Sequence, residues 1–375
     1  MRRTMIATLS IALVVLSVPA SGAAAASAGT SCPAVAHHID AQHSGFSCST
    51  LPTTLAKKWS ITLNGDASYP LVAGGRVFVT TSNSGGPYGG WLYALNASDG
   101  TVAWGPVPLS GTYYYFPLAY DGGRVFVNDF DGTIRAFDAG TGAQAWTTPT
   151  AYFSGEPVAL NGRVWVEGPG IVYGLSETTG QIVAQSPYLD GDGAAPAADQ
   201  TGVYVSTGCA SQYALNLDGT LKWSDHDGCT GGGGASTALR KRLMFGADGD
   251  VVLQKTNGTQ VGSFAGWPAF AGPDGFFAVD DSVFAEDVQT TVPLWTTPVG
   301  GTILAGPVAT RSAVFVATDA DQLVTLDPRT GHVLSTIALA GTPGGGGQYF
   351  GSPSDMAVGG SLLVIPTGST VTAYG

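Results

Sequence analysis

Three histidines, His37, His38 and His43, lie close together and are flanked by Cys32 and Cys48. Imidazole and thiolate are the side chains that hold zinc, so metal binding is the first chemistry these residues suggest. Their spacing matches no finger pattern, however, and a cysteine pair in an exported chain prefers a disulfide. Asp-Gly clusters at NDFDGT (128–133), LDGDG (189–193) and ADGD (247–250) raise calcium in the same way. A calcium loop needs further oxygen ligands at set spacing and a closing bidentate carboxylate, and none follows here. Turn chemistry accounts for these clusters, and no metal is expected. There is no G-x-S-x-G elbow, and His226 and His332 fall on expected turns without a nucleophile in sequence reach. No catalytic residue is assigned.

Aromatic residues offer a different chemistry. Tyr69 precedes Pro70; Tyr114, Tyr115 and Phe116 precede Pro117; Tyr152 and Phe153 precede Pro157; Trp267 precedes Pro268; Tyr349 and Phe350 precede Pro353. Such rings could stack on sugars, on a proline-rich peptide or on the apolar side chains of a partner, or they could simply fill the ends of sheets. The Gly-rich stretches 229–236 and 341–352 would flank them as adjustable walls. The chain has four cysteines, for which three connectivities exist. The local one, Cys32 with Cys48 and Cys209 with Cys229, is the cheapest to form, each loop contributing roughly 3 kcal/mol. Free buried thiols are the alternative.

The elements that must position these residues are written as repeats. AFDAGTGAQAW (136–146) recurs as ALNASDGTVAW (94–104), GLSETTGQIVA (174–184), ALNLDGTLKW (214–223), LQKTNGTQVG (253–262), AEDVQTTVPLW (285–295) and TLDPRTGHVLS (325–335). An eighth copy is split between Ala373 near one end and Trp59 near the other. Upstream of most copies stands a proline, a short apolar run, a glycine-bearing turn and alternating apolar residues, as in PLVAGGRVFV from Pro70. Each half is a hairpin signature, and two hairpins make one four-stranded sheet. From Ala56 to Gly375 the chain divides into eight units of about 40 residues, the length of a propeller blade. The expectation is an all-β, eight-bladed β-propeller of four-stranded antiparallel blades, with seven blades as the alternative. The strand at Ala56 to Leu63 should close the ring against the C-terminal strand, because an open seam would fray. The connections into the innermost strands surround one mouth of the channel, so the aromatic residues would form a collar there.

Arg2 and Arg3, an apolar run from Met5 to Val18 and a stretch of small residues form a secretory signal peptide over 1–28, of general or twin-arginine type. Residues 29–55 form an N-terminal tail with a disulfide, and 56–375 form the propeller. No later run is long enough for a transmembrane helix. Removal of the two arginines takes the formal charge from -12 to -14, which argues against nucleic acid and anionic lipid as partners.

The repeats resemble the tryptophan-docking segments of the pyrroloquinoline-quinone (PQQ)-like propeller family: small residue, Asp or Asn, Gly and Trp at fixed offsets. Ala136, Asp138, Gly142 and Trp146 fit at every position, as do Ala94, Asn96, Gly100 and Trp104. DAQHSGFS (40–47) resembles the lead-in found before the first blade in this family. The resemblance implies a tryptophan packed between neighbouring blades, with the glycine turning between the outer strands. Quinone-dependent members carry adjacent cysteines and long insertions, which are absent here. The resemblance is therefore to the cofactor-free branch. It implies a protein that acts by binding other proteins, with no cofactor. Together with the missing catalytic groups and the aromatic collar, the expectation is a secreted, monomeric, non-catalytic binding or scaffold module for a protein or carbohydrate partner at the channel mouth. A quinone-dependent oxidoreductase and a cell-envelope assembly module are the two alternatives.

Overall fold

A computed structural model describes residues 32–82, 89–111, 116–129, 131–150, 155–191, 195–208, 210–225, 236–247, 249–344 and 356–375. The signal peptide assigned to 1–28 lies outside these residues, as do Cys209, Cys229, Tyr114, Tyr115, Tyr152, Phe153, Tyr349 and Phe350.

Among the described residues thirty-two strands form eight four-stranded antiparallel sheets, arranged as an eight-bladed propeller; the seven-bladed alternative is excluded. Blade 1 starts with the innermost strand Leu71–Ala73 and ends with the outermost strand Val102–Leu109, and blades 2 to 7 follow in chain order. Blade 8 takes three strands, Ala357–Gly359, Leu362–Thr367 and Thr370–Tyr374, from the end of the chain. Its outermost strand is Lys57–Thr62, which pairs antiparallel with Thr370–Tyr374 and sets Trp59 opposite Ala373. The ring closes on the split copy seen in the sequence.

One register recurs around the ring. Ala136 lies opposite Trp146, Ala94 opposite Trp104, Gly174 opposite Ala184, Ala214 opposite Trp223 and Ala285 opposite Trp295. In blade 5 the pairing puts Val252, not Leu253, opposite Gly262. The indole N–H of Trp104 donates to Ala139 O of the following blade at 2.9 Å, and those of Trp146 and Trp223 reach Glu177 O and Lys255 O at 2.9 and 2.8 Å. Each of these indoles also lies on a turn glycine of the following blade. A Cβ on Gly142 would stand 2.6 Å from Trp104, and its φ of +74° is one that L side chains seldom adopt. In the Asp-Gly cluster 128–133 Asp129 shapes a turn, its Oδ1 accepting from Thr133 N–H at 2.8 Å and its carbonyl from Gly132 N–H at 3.0 Å, and outside the clusters Asp138 Oδ1 accepts in the same way from the N–H of Gly140 and Thr141.

The alternating strands bury Val, Leu, Phe and Ala between adjacent sheets, so the core is a set of wedges and not one central mass. Outer strands keep only alternate residues inward, as in Gln144–Pro149. Inner strands are buried on both faces, as in Gly202–Thr207.

Candidate functional site

The segment read from the sequence as a tail is the centre of the molecule. Residues 32–48 run once around the inside of the ring, hydrogen-bonding to the inner strands blade after blade. Cys32 O accepts from Gly360 N–H of blade 8, and Ala34 exchanges two backbone bonds with Val72 of blade 1. Val35 O accepts from Tyr120 of blade 2, Ala41 O from Ala198 of blade 4, Gln42 O from Leu239 of blade 5 and Ser44 O from Phe270 of blade 6. Gly45 O and Ser47 N–H both bond Ala309 of blade 7. Against blade 3, Ala36 and Ala41 join the buried apolar cluster that holds Val158, Trp165 and Val172. The Cys32–Cys48 disulfide, with Cα atoms 5.3 Å apart, then closes the circuit.

So tight a course demands unusual backbone. His38, Ile39, His43 and Gly45 all have positive φ, between 50° and 84°. At Gly45 a Cβ would stand 2.6 Å from His38 Nε2 and 2.7 Å from Ala269 Cβ, so only glycine passes there. Asp40 braces the arc: its carboxylate accepts from the N–H of Gln42 and Ser44 and from the Ser44 hydroxyl at 2.6 Å.

The three histidines fill the loop and are buried. The His37 ring lies 5.4 Å from that of His43 and 5.2 Å from that of Tyr69; Trp267 stands 6.2 Å from both His37 and His38, edge-on to each. Burial drives the imidazoles neutral. Desolvation, helped by the neighbouring rings, lowers His37 and His43 from 6.5 to about 3. His38 is lowered for the same first reason, but its two nitrogens face the carbonyls of His43 and Pro307, each at 3.0 Å. A neutral ring can donate to only one of them, so this environment opposes the drop. His43 Nδ1 meets Thr237 O at 2.8 Å, and the buried Glu156 carboxylate favours the charged form of His43 while pushing the Tyr69 phenol up further than burial already does.

The expected site residues fare differently. Tyr69 is buried, its hydroxyl donating to Leu118 O at 2.8 Å and accepting from Leu118 N–H at 2.9 Å, so it ties blade 1 to blade 2. Phe116 is buried in the same interface. Trp267 opens the innermost strand of blade 6 and is half-buried over the histidines. Among the described residues no group of three or more His, Cys, Asp or Glu is gathered as a metal would require. No helix there is long and apolar enough to cross a membrane.

The family profile described as outer membrane protein assembly factor BamB matches residues 52–113, 131–265 and 247–374, and the chain belongs to this PQQ-like propeller family. It is 30% identical over 140 residues to quinohemoprotein alcohol dehydrogenase ADH-IIG of Pseudomonas putida, a match covering 32% of this chain and 19% of that protein. It is 30% identical over 129 residues to outer membrane protein assembly factor BamB of Yersinia pestis, covering 30% of this chain and 33% of that protein. The chain thus spans a third or less of these relatives. The crystal structure of BamB from Moraxella catarrhalis superposes with a TM-score of 0.64 at 18% identity, over 86% of this chain and 97% of that one, a likeness of fold alone.

The quinone that the family name carries does not fit here. The large cavity a propeller offers a planar cofactor is its axial channel, and in this chain the loop 32–48 and its imidazoles fill that channel.

Proposed function

We propose that the protein is a non-catalytic module of the cell envelope that binds a protein partner during assembly, through the face at which the innermost strands begin. The observation that carries this reading is the loop 32–48: the chain occupies its own channel, so a ligand must be met on an outer surface. Family membership supports the envelope role, and the disulfide fits an oxidising compartment outside the cytosol. On this reading the chain is exported and monomeric. Trp267 and the aromatic segments holding Tyr114, Tyr115, Tyr152, Phe153, Tyr349 and Phe350 form the contact surface, while Tyr69 and Phe116 brace it from within.

The test is capture from envelope extracts by the purified mature protein, beside a glycan array. The triple variant Tyr114→Ala, Tyr115→Ala, Trp267→Ala should lose its partner while keeping its far-ultraviolet spectrum. Unchanged capture by the triple variant would refute the aromatic surface, and binding only on the glycan array would replace the protein partner with a carbohydrate. PQQ with Ca²⁺ should cause neither a new absorbance band nor a thermal shift; either would restore the oxidoreductase reading.

A further inference from the structure

At the seam between blades 8 and 1 the surface opens into a groove of about 510 Å³ on the face where the innermost strands end. Its only charged lining residues are Lys58 and Arg76, on a chain whose formal charge is -12. Neither makes an ion pair among the described residues. Among the described residues Arg76 Nε is buried without an acceptor, and the one acceptor its guanidinium reaches is the neighbouring Gly75 carbonyl at 3.5 Å, the outer limit of a hydrogen bond.

The repeats show what is missing. Arg124 holds the same place in blade 2 and lies opposite Asp138; Glu177 of the next blade also feels its charge. Arg163 holds it in blade 3 and donates to Leu217 O of the next blade. Arg76 lies opposite the neutral Asn96, and Ala139 stands where Glu177 would meet it. The seam is hollow for a parallel reason. Gly359 and Ala97 stand where Asp121 and Glu177 crowd the junction between blades 2 and 3. A planar guanidinium with an unmatched buried N–H calls for a carboxylate, which it can bind through two hydrogen bonds.

We infer that this groove is a docking site for an acidic segment of a protein partner, whose carboxylates pair with Arg76 and Lys58 while its backbone lies along the apolar floor of Val72 and Leu362. The site deepens the protein-binding reading and rests on it. It lies at the opposite end of the innermost strands from Trp267.

The experiment follows the Arg76 Nε–H resonance in the full mature chain during titration with three probes: the peptide acetyl-Glu-Gly-Glu-amide, its Gln-Gly-Gln counterpart and free glutarate. The Glu peptide should shift the resonance saturably and bind at least about tenfold more tightly than glutarate, while the Gln peptide should leave it unmoved. Arg76→Gln and Lys58→Gln, followed through neighbouring backbone amides, should each weaken the Glu peptide by about tenfold or more, as loss of one charge-assisted bond requires. Melting of both variants should match the parent, which separates lost binding from lost fold. Silence of Arg76 toward both carboxylate probes, or full affinity in Arg76→Gln, overturns the inference. Equal affinity for glutarate and the Glu peptide replaces the protein segment with a small organic anion. Capture of an envelope partner by a chain whose Arg76 stays silent would leave the protein-binding reading intact and remove only this site.

Discussion

The indole N–H of Trp59 donates to Ala97 O at 2.9 Å, so the strand that completes blade 8 from the start of the propeller is also bonded to blade 1. Trp59 lies on the turn glycine Gly100, where a Cβ would stand 2.5 Å from the ring. Both sides of the seam thus depend on one side chain that is only 7% exposed.

Replacing Trp59 with Ala removes that packing and leaves the Ala97 carbonyl without its donor. A destabilisation of about 3 kcal/mol is expected, typical of a large buried aromatic cut to Ala. Chemical denaturation measures it. A loss below about 1 kcal/mol would mean that the backbone ladder between Lys57–Thr62 and Thr370–Tyr374 closes the ring by itself.

Glycine substitutions separate backbone strain from blade docking. Gly142 and Gly162 share nearly the same φ, +74° and +77°, but a Cβ at Gly162 meets nothing within 4 Å while one at Gly142 meets Trp104 at 2.6 Å. Gly162→Ala should cost about 1 kcal/mol for the left-handed conformation. Gly142→Ala should cost that and a further 1 to 3 kcal/mol or so for displacing the indole. Equal losses in denaturant titrations would show that the indole yields freely.

Removing the disulfide should loosen the central loop. Cys32 and Cys48 are separated by 16 in sequence, and the Cys32→Ser, Cys48→Ser double variant should lose roughly 3 kcal/mol. Hydrogen exchange locates the effect: the amides of Val72, Ala198, Leu239, Phe270 and Ala309 donate to the loop and should lose protection before those of the outer strands.

Acid should destabilise the protein through the same loop. An imidazole held at about 3 in the folded chain and near 6.5 in the unfolded one favours folding above about pH 6.5, and that contribution falls away as pH drops toward 3. The ceiling for His37 or His43 is roughly 5 kcal/mol each. Carboxyls act in the opposite sense: Asp40 and Asp129 are raised by burial, and Glu177 is pushed up to about 7 by burial and by Asp121. Their contribution is present at low pH and lost as pH rises through their folded values. The clean measurement is therefore a difference: urea midpoints of the parent chain and of His43→Asn between pH 7 and 4 should converge as pH falls. Parallel curves would mean that His43 does not remain neutral in the folded chain.

Much of the ring was legible in the sequence because each blade is local. Ala136 and Trp146 meet across a single turn, so alternation, a glycine and a closing aromatic determine both strands, and eight such copies with one split determine a closed circle. Trp267 and the buried Tyr69 were visible only as aromatic residues before a proline. Whether such a ring faces solvent or a neighbouring blade depends on contacts such as Tyr69 to Leu118, 49 residues away, which no local pattern encodes.

The loop 32–48 marks the limit most clearly. Cys32, Cys48 and three histidines read as a disulfide-bonded tail outside the ring, since nothing in their spacing announces seven blades as hydrogen-bonding partners. By itself the sequence determined the repeating unit and the latch, because these rest on neighbours along the chain, and it favoured eight copies over seven. Only the tertiary structure decided that the channel is occupied by the chain itself, that the histidines are packed neutral, and that Arg76 is left without its acceptor. Each of these depends on which distant side chains the closed ring brings together, and burial turns that proximity into charge state and energy.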